Sequence, residues 1–241
     1  MADRPKIHEQ SLGILGGTFN PPHLGHLAVA RHALQELCLE RVLLVPAHTA
    51  PYKSSAGPGD IRGSGGAIAA GRNDPGPQHR LRMCQLAVTG EEGLSVCALE
   101  VERGGLSYTV DTLRSIHITH PHPQLTLIVG ADTASTLGAW REPAQLLELA
   151  QLAVATRDGT ARQRVLDALD AANNTGVDGN REPPRTYRDV RFLEMPAVDV
   201  SSSAVRERVA QGEAVDLLVG PAVAGYIAEQ GLYRVGAAVG R

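Results

Sequence analysis

The sequence predicts an α/β fold with a doubly wound parallel sheet and helices on both of its faces. Three short apolar runs, LGILGG, VLLVP and LTLIVG, end in glycine or proline, as strands buried on both faces often do. Segments with helical spacing alternate with these runs, which is the pattern of repeated strand–helix–strand units. A chain of 241 residues suits one domain, and we expect residues 1–241 to form a single one.

The first strand–helix–strand unit follows from its apolar spacing. Residues 12–15 form an apolar run that ends in glycines, and residues 42–46 form a second run that ends at a proline. Between them, residues 26–38 carry apolar side chains at helical spacing. The unit spans about 35 residues, the usual size of such a crossover, and the crossover is right-handed in nearly all proteins. We therefore expect the two strands to be parallel.

The remaining strands and helices continue this alternation. The apolar pattern predicts strands at 94–102, at 125–130, at LAVAT (152–156) and in the VRFLEM and AVDV pieces of 190–200. Further helices are predicted at 79–90, 107–118, 161–173, 201–212 and 221–233, with one more ending shortly after residue 146. Serines precede the helix at 201–212 and Pro221 opens the last one, both of which suit helix starts. Residues 201–241 should therefore form a small C-terminal helical part.

Residues 54–78 differ in kind from the rest of the chain. This stretch contains seven glycines, three prolines and no aromatic residue. Such a composition buries too little apolar surface to offset the entropy of ordering the chain. We expect a mobile surface insertion, and a catalytic lid is the alternative.

Composition excludes several classes of protein. The net charge is −3, so no strongly basic surface is required and we expect no nucleic-acid partner. The three cysteines form no CxxC pair, which fits a reducing cytoplasm better than a disulfide framework. No apolar run approaches the roughly 18 residues of a membrane span, and the charged N-terminus lacks a signal-peptide core. We expect a cytoplasmic protein with no membrane partner, and the sequence leaves open whether it forms a homo-oligomer.

The stretch GGTFNPPHLGH, residues 16–26, combines features that suit the binding of an oligophosphate. Gly16 and Gly17 follow the first strand and let the backbone approach a phosphate closely. A helix that begins after the two prolines presents free N–H groups to an anion. His23 and His26 lie one helical turn apart, where their ring N–H groups can donate to phosphate oxygens.

Other interpretations of this stretch are weaker. The glycines do not match GxGxxG, and GxxxxGK[ST] is absent, so neither a dinucleotide-binding dehydrogenase nor a P-loop kinase is favoured. HxxH without a nearby cysteine or carboxylate at zinc spacing is a poor metal site. A purely structural pair of histidines remains an alternative.

Polar side chains also follow the other predicted strands, where the ligand crevice of a doubly wound sheet lies. These candidates are His48, Lys53, Asp132, Trp140, Arg157, Ser201, Ser202, Ser203 and Arg206. Several have an ordinary alternative role. Asp132 and the serines could simply cap helices, and Trp140 could fill a core instead of stacking on an aromatic ring.

These segments together resemble a known family. GGTFNPPHLGH resembles the HxGH signature of the nucleotidyltransferase superfamily, which has a Rossmann-like fold. More narrowly, the chain is similar to the bacterial nicotinate-nucleotide adenylyltransferase family. The similarity covers nearly the whole chain and is carried, in order, by VPAHTAPYK, HRLRM, RGGLSYTVDTL, VGADTASTLGAW, ATRDG and SSSAVRERV.

The resemblance implies an activity and its substrates. Members of this family join nicotinate mononucleotide and ATP to give nicotinate adenine dinucleotide and pyrophosphate, in NAD biosynthesis. The mononucleotide phosphate attacks the α-phosphorus of ATP in line, without a covalent enzyme intermediate. Mg²⁺ is expected to arrive with ATP, and no metal site built by the protein itself is expected.

The resemblance also implies roles for individual residues. His23 and His26 would be catalytic and would contact the triphosphate. The ATP site would be formed by Gly16, Gly17, Thr18, Phe19, His23, His26, Lys53, Ser202, Ser203 and Arg206. The mononucleotide site would be formed by Thr18, Tyr108, Thr109, Gly130, Asp132, Trp140 and Arg157, with the tryptophan stacking on the pyridine ring.

The chain departs from the family pattern at two places. Asn20 stands where the family usually has aspartate, which puts in doubt any role that depends on that charge. The insertion at 54–78, which directly follows Lys53, is longer than the family pattern suggests. Nicotinate and nicotinamide as substrates are not distinguished by the sequence. Another nucleotidyltransferase, a non-catalytic nucleotide-binding regulator and a class I aminoacyl-tRNA synthetase are the weaker alternatives.

Overall fold

The computed structural model of the chain describes residues 11–51, 74–120, 124–156, 161–174, 190–196 and 198–234, with only the backbone of residues 161 and 171–174. Its strands are β1 Ser11–Gly17, β2 Arg41–Pro46, β3 Leu94–Val96, β4 Gln124–Gly130, β5 Gln151–Thr156 and β6 Arg191–Glu194. They form one sheet in the order β3-β2-β1-β4-β5-β6, and every pairing is parallel. The order reverses between β1 and β4, which is where doubly wound sheets bind ligands. The predicted fold class is confirmed.

Helices connect these strands and follow the last one. They are α1 Leu24–Glu36, α2 Pro77–Ala87, α3 Leu99–Arg103, α4 Thr109–Thr119, α5 Ala131–Ala134, α6 Pro143–Leu149, α7 Ala161–Asn174, α8 Ser202–Ala210, α9 Asp216–Val219 and α10 Pro221–Glu229. A short 3₁₀ turn covers Leu137–Ala139. None of the helices in the described ranges has the length and apolar character needed to cross a bilayer.

The sheet separates two apolar cores, because successive side chains of a strand point to opposite faces. Leu43 and Val45 of β2 pack with residues of α4, α6 and α7. Val42 and Leu44 of the same strand pack with residues of α1 and α2. Both faces of the sheet are therefore covered by helices, as predicted from the uninterrupted apolar runs.

A third core holds the C-terminal helices against α2. Met83 of α2 is buried together with Val205 of α8 and with Val223 and Ile227 of α10. This packing places the start of α8 beside the end of β1. The arrangement confirms the predicted small C-terminal helical part over the described residues.

Two predicted strands are wrong in extent. The region 94–102 is a strand only over Leu94–Val96, and residues Leu99–Arg103 form α3. Its apolar alternation satisfies a short amphipathic helix equally well, and β2 is paired with β3 over three residues only. In 190–200, β6 stops at Glu194, where its partner β5 also ends, so the described residues 198–200 have no strand to pair with.

The predicted insertion at 54–78 ends too late. Residues 52–73 lie outside the described part of the chain, but the residues after them adopt defined positions. A side-chain oxygen of Asp74 accepts a hydrogen bond from the Gly76 amide at 2.9 Å. Helix α2 then begins at Pro77, a residue type that suits the first helical turn.

Candidate active site

The turn between β1 and α1 lies at the point where the strand order reverses. Phe19 occupies the left-handed region with φ of 49° and is only 2% exposed. A Cβ atom on Gly17 would lie 3.2 Å from the Phe19 ring, so a larger residue here would press on that ring. A Cβ on Gly16 would meet nothing within 4 Å, which leaves that backbone open to a ligand. The turn is thus packed against the Phe19 ring at Gly17 and accessible at Gly16.

The two histidines of this turn form a stacked pair. Their ring centroids are 3.7 Å apart with an interplanar angle of 26°. The His23 amide donates to Nδ1 of His26 at 3.1 Å. Because that nitrogen accepts, a neutral His26 carries its ring proton on Nε2. The edge of the buried Phe19 ring contacts His26, with centroids 4.9 Å apart, and fixes the ring on its other side.

Gly25, between the two histidines, packs closely against His23. A Cβ atom at this position would lie 3.0 Å from His23 Nδ1 and 3.1 Å from Cγ1 of Val200. His23 is itself 8% exposed and precedes the first residue of α1 in an extended conformation. The glycine of the HLGH sequence therefore makes room for the catalytic candidate beside it.

The start of α8 docks onto the same turn. Ser202 Oγ donates to the Pro21 carbonyl oxygen at 2.9 Å, and Nη1 of Arg206 donates to the Asn20 carbonyl oxygen at 2.7 Å. A second Arg206 nitrogen, Nη2, donates to Ser203 Oγ at 3.1 Å. Ser201 is the residue that caps α8, accepting from the Ala204 amide at 3.2 Å. The two sequence motifs are joined across 181 and 186 positions of the chain and meet at the C-terminal end of β1.

Arg80 is a residue of this site to which the sequence interpretation gave no role. It is 1% exposed, and its Nε donates to the Asp74 carboxylate at 3.0 Å. Nη1 donates to the carbonyl oxygens of Thr18 at 2.8 Å and of Ala47 at 2.6 Å, and Nη2 to that of His48 at 2.8 Å. A buried cation with all these partners holds the turns after β1 and β2 together. The RLRM pattern of a helix gave no sign of this, because arginine is ordinarily a surface residue.

The second group of candidates follows β2 and β4. Tyr108 directly precedes α4 and Thr109 begins it. The Ser107 hydroxyl accepts from the His48 amide at 2.9 Å, which joins the loop before α4 to the loop after β2. The guanidinium of Arg141 lies 4.8 Å above the Tyr108 ring. The candidates for the mononucleotide therefore lie along the same edge of the sheet as the histidine pair.

Asp132 and Trp140 follow β4, the neighbour of β1. Asp132 is exposed within the first turn of α5, and Gly130 occupies the capping position, so the predicted helix-capping alternative for the aspartate is wrong. Trp140 is half-buried against the core on the α4 face, and its indole N–H donates to Thr136 Oγ1 at 3.1 Å. Lys53 and Arg157 lie outside the described residues.

A buried carboxyl group supports the loop before α4. Glu100 of α3 is buried, and the hydroxyls of Ser107 and Thr112 both donate to it. Burial raises the pKa of Glu100 above its ordinary value, and the two hydroxyls and Arg103 oppose that rise. This group was not among the sequence candidates, since a glutamate in a charged-looking segment normally faces solvent.

The chain is similar in sequence to known proteins over most of its length. Residues 14–58 and 77–208 match the family model described as cytidylyltransferase-like. A Gemmatimonas aurantiaca protein named probable nicotinate-nucleotide adenylyltransferase is 36% identical over 223 residues, which are 92% of each chain. A protein of the same name from Herpetosiphon aurantiacus is 35% identical over 93% of this chain and 98% of that one.

Solved structures share the fold at lower sequence identity. Plasmodium falciparum nicotinic acid mononucleotide adenylyltransferase complexed with NaAD superposes with a TM-score of 0.66 at 16% identity, over 93% of this chain and 97% of that one. The same enzyme complexed with APC gives 0.64 at 14% identity over equal shares. By its family model and its curated relatives, this chain belongs to the cytidylyltransferase-like family and, within it, to the nicotinate-nucleotide adenylyltransferases of NAD biosynthesis.

Proposed function

We propose that this adenylyltransferase takes ATP and nicotinate mononucleotide as its substrates and holds their reacting phosphates at the turn between β1 and α1. The observation that carries the proposal is the stacked His23–His26 pair at the start of α1, with Ser202 and Arg206 of α8 bound to the main chain of the same turn. A helix N-terminus, ring N–H groups and a guanidinium together form a site for several phosphate charges.

The chemistry requires positioning and charge stabilisation rather than a nucleophile of the protein. An oxygen of the mononucleotide phosphate forms a bond to the α-phosphorus of ATP while the bond to the β-phosphate oxygen breaks, and pyrophosphate leaves. The Nε2 proton of His26 and the ring of His23 would donate to oxygens on which charge develops. The N–H groups at the start of α1 would add a fixed positive potential.

The proposed ATP side of the site is formed by Gly16, Gly17, Thr18, Phe19, His23, His26, Ser202, Ser203 and Arg206. A guanidinium has five N–H groups. The N–H groups of Arg206 that bind Asn20 and Ser203 fix the plane of the guanidinium. Its other N–H groups can donate to a phosphate. Lys53 is included in the proposal from the family resemblance alone.

The proposed mononucleotide side is formed by Thr18, Tyr108, Thr109, Gly130, Asp132 and Trp140, with Arg157 added from the resemblance. What supports it is the sheet order, because β1 and β4 are neighbours and both end at this edge. An exposed carboxylate such as Asp132 can accept from ribose hydroxyls. The half-buried Trp140 ring offers an aromatic face for a pyridine ring.

We propose that Mg²⁺ arrives with ATP as part of the substrate. Among the described residues, no group of three or more histidine, cysteine or carboxylate side chains is placed to hold a metal ion. The oxygens of a triphosphate are ligands of the kind that Mg²⁺ prefers. Its chemistry here would be to neutralise charge on the leaving pyrophosphate.

The proposal is tested by measuring pyrophosphate release from ATP with each of three acceptors, namely nicotinate mononucleotide, nicotinamide mononucleotide and phosphopantetheine. We expect the highest kcat/KM with the first. Equal or higher efficiency with nicotinamide mononucleotide would overturn the choice of substrate. Release with phosphopantetheine alone would overturn the assignment of the acceptor site altogether.

A further inference from the structure

Tyr233 lies after α10 and contacts the phosphate-binding turn directly. Its hydroxyl donates to Oδ1 of Asn20 at 2.7 Å, across 213 positions of sequence. Asn20 is the residue that departs from the family pattern, and it lies between Phe19 and the histidine pair. A tyrosine of the C-terminal part thus binds the side chain at the centre of the turn.

Two hydrogen bonds from α8 already hold the main chain of the turn at Asn20 and Pro21. Arg206 donates to the Asn20 carbonyl oxygen and Ser202 to that of Pro21. Tyr233 adds a hydrogen bond to the side chain of the same asparagine. Asn20 is therefore fixed through its backbone by α8 and through its amide group by the segment that follows α10.

The backbone is unusual on both sides of this hydrogen bond. Phe19 has φ of 49° and Tyr233 has φ of 64°, both in the left-handed region that residues other than glycine seldom adopt. Such conformations persist where surrounding contacts outweigh their cost, and they are concentrated at functional sites. Here the Tyr233 side chain packs against the core of the C-terminal helices, which supports its turned backbone.

The phenol remains a donor under ordinary conditions. Burial raises the pKa of Tyr233 far above its usual value, and the nearby Asp74 carboxylate raises it further. An asparagine oxygen is an acceptor at every pH, whereas an aspartate in its place would titrate. The hydrogen bond is thus independent of pH over the working range of an enzyme.

We infer that Tyr233 is a positioning residue for adenylyl transfer, which acts through the Asn20 side chain to hold the turn that places His23 and His26. The inference rests on the proposed function, since it assumes that the two histidines meet the reacting phosphates. A small displacement of such groups is costly, because misplacement by about 1 Å can lower a rate about 100-fold.

The first test compares Tyr233→Phe with Tyr226→Phe. Tyr226, in α10 of the same helical part, donates to or accepts from His79 Nδ1 at 2.9 Å and has no part in the proposed site. Each change removes one hydrogen-bonded phenol oxygen from a half-buried ring. We expect kcat to fall about tenfold in Tyr233→Phe, with KM for ATP within about twofold, and to stay unchanged in Tyr226→Phe. Similar melting temperatures of the two variants would separate positioning from loss of stability.

The second test asks whether Tyr233 acts through Asn20. In the Asn20→Ala background, we expect Tyr233→Phe to have no further effect on kcat, because its partner is already absent. Asn20→Asp keeps an acceptor for the phenol and should retain more activity than Asn20→Ala. If Tyr233→Phe does not fold, the activities of Asn20→Asp and Asn20→Ala still test whether an acceptor for the phenol at position 20 matters.

The outcomes distinguish this inference from the proposed function. A wild-type enzyme inactive with ATP and nicotinate mononucleotide would overturn both. An active wild type whose Tyr233→Phe variant matches it in kcat would overturn the inference alone. The same holds if the Tyr233→Phe effect is undiminished in the Asn20→Ala background.

Discussion

Nη1 of Arg80 donates to the Thr18 carbonyl oxygen at 2.8 Å, so a buried cation of α2 holds the first residue of the turn between β1 and α1. The same guanidinium binds two carbonyl oxygens of the loop after β2 and the carboxylate of Asp74. Arginine suits this place because its planar fork serves several acceptors in fixed directions.

Replacing Arg80 by lysine should therefore weaken both the fold and the site. A lysine cannot reach all of these acceptors, and buried carbonyls would lose their donors. We expect the free energy of unfolding to fall by about 3 kcal/mol, as when a buried charge network is broken, and kcat to fall with it. Urea denaturation and steady-state assays measure the two effects. Arg82→Lys, an exposed position of the same helix, is the control, with an expected change within about 0.5 kcal/mol.

Removing the His23 ring should abolish most of the catalysis while the protein still folds. His23→Ala deletes the proposed donor to the developing phosphate charge, and we expect kcat to fall at least about 100-fold. His32→Ala, further along α1, should retain wild-type turnover. Circular dichroism checks the fold of both variants. Retained activity in His23→Ala would contradict the catalytic assignment.

Gly25 tests whether the position of the ring matters apart from its presence. In Gly25→Ala the new methyl group would press on His23 Nδ1 and Val200, so the ring must shift. We expect kcat to fall about tenfold with little change in the melting temperature. Gly225→Ala is the matched control, since a Cβ there meets nothing within 4 Å. It should leave kcat unchanged and stabilise α10 by about 0.5–1 kcal/mol. Equal turnover in both variants would refute the packing argument.

Glu100 should make stability depend on pH. Its pKa is raised in the folded state, so between its ordinary value of 4.5 and the folded value the native protein binds more protons than the unfolded chain. The free energy of unfolding therefore falls as pH rises through this window. A glutamine at position 100 cannot ionise, so the free energy of unfolding of Glu100→Gln should lack this decrease.

The measurement is urea denaturation of both proteins at about pH 5 and about pH 8. We expect the variant to gain stability relative to wild type as pH rises. Glu102→Gln, an exposed position of the same short helix, should show no such trend. A difference between Glu100→Gln and wild type that stays constant with pH would contradict the assignment.

The sheet could be predicted because its signal is local and repeated. The runs that became β1, β2 and β4 are mostly apolar, since strands covered on both faces need no polar alternation. The short β3 and the end of β6 could not be predicted. A strand ends where its partner ends, and the residues of one strand do not show how long its partner is.

The sequence alone determined the α/β class and the family, and it led to the proposal that residues 16–26 bind phosphate. These depend on apolar periodicity, on glycine and proline placement and on motifs that lie close together in the chain. Only the tertiary structure decided that Arg80 and Tyr233 support that turn and that Glu100 is buried behind the loop before α4. The physical reason is that an arginine, a tyrosine or a glutamate is compatible with solvent or with a buried network. Which of the two applies depends on the carbonyls, amides and hydroxyls that distant segments bring to it.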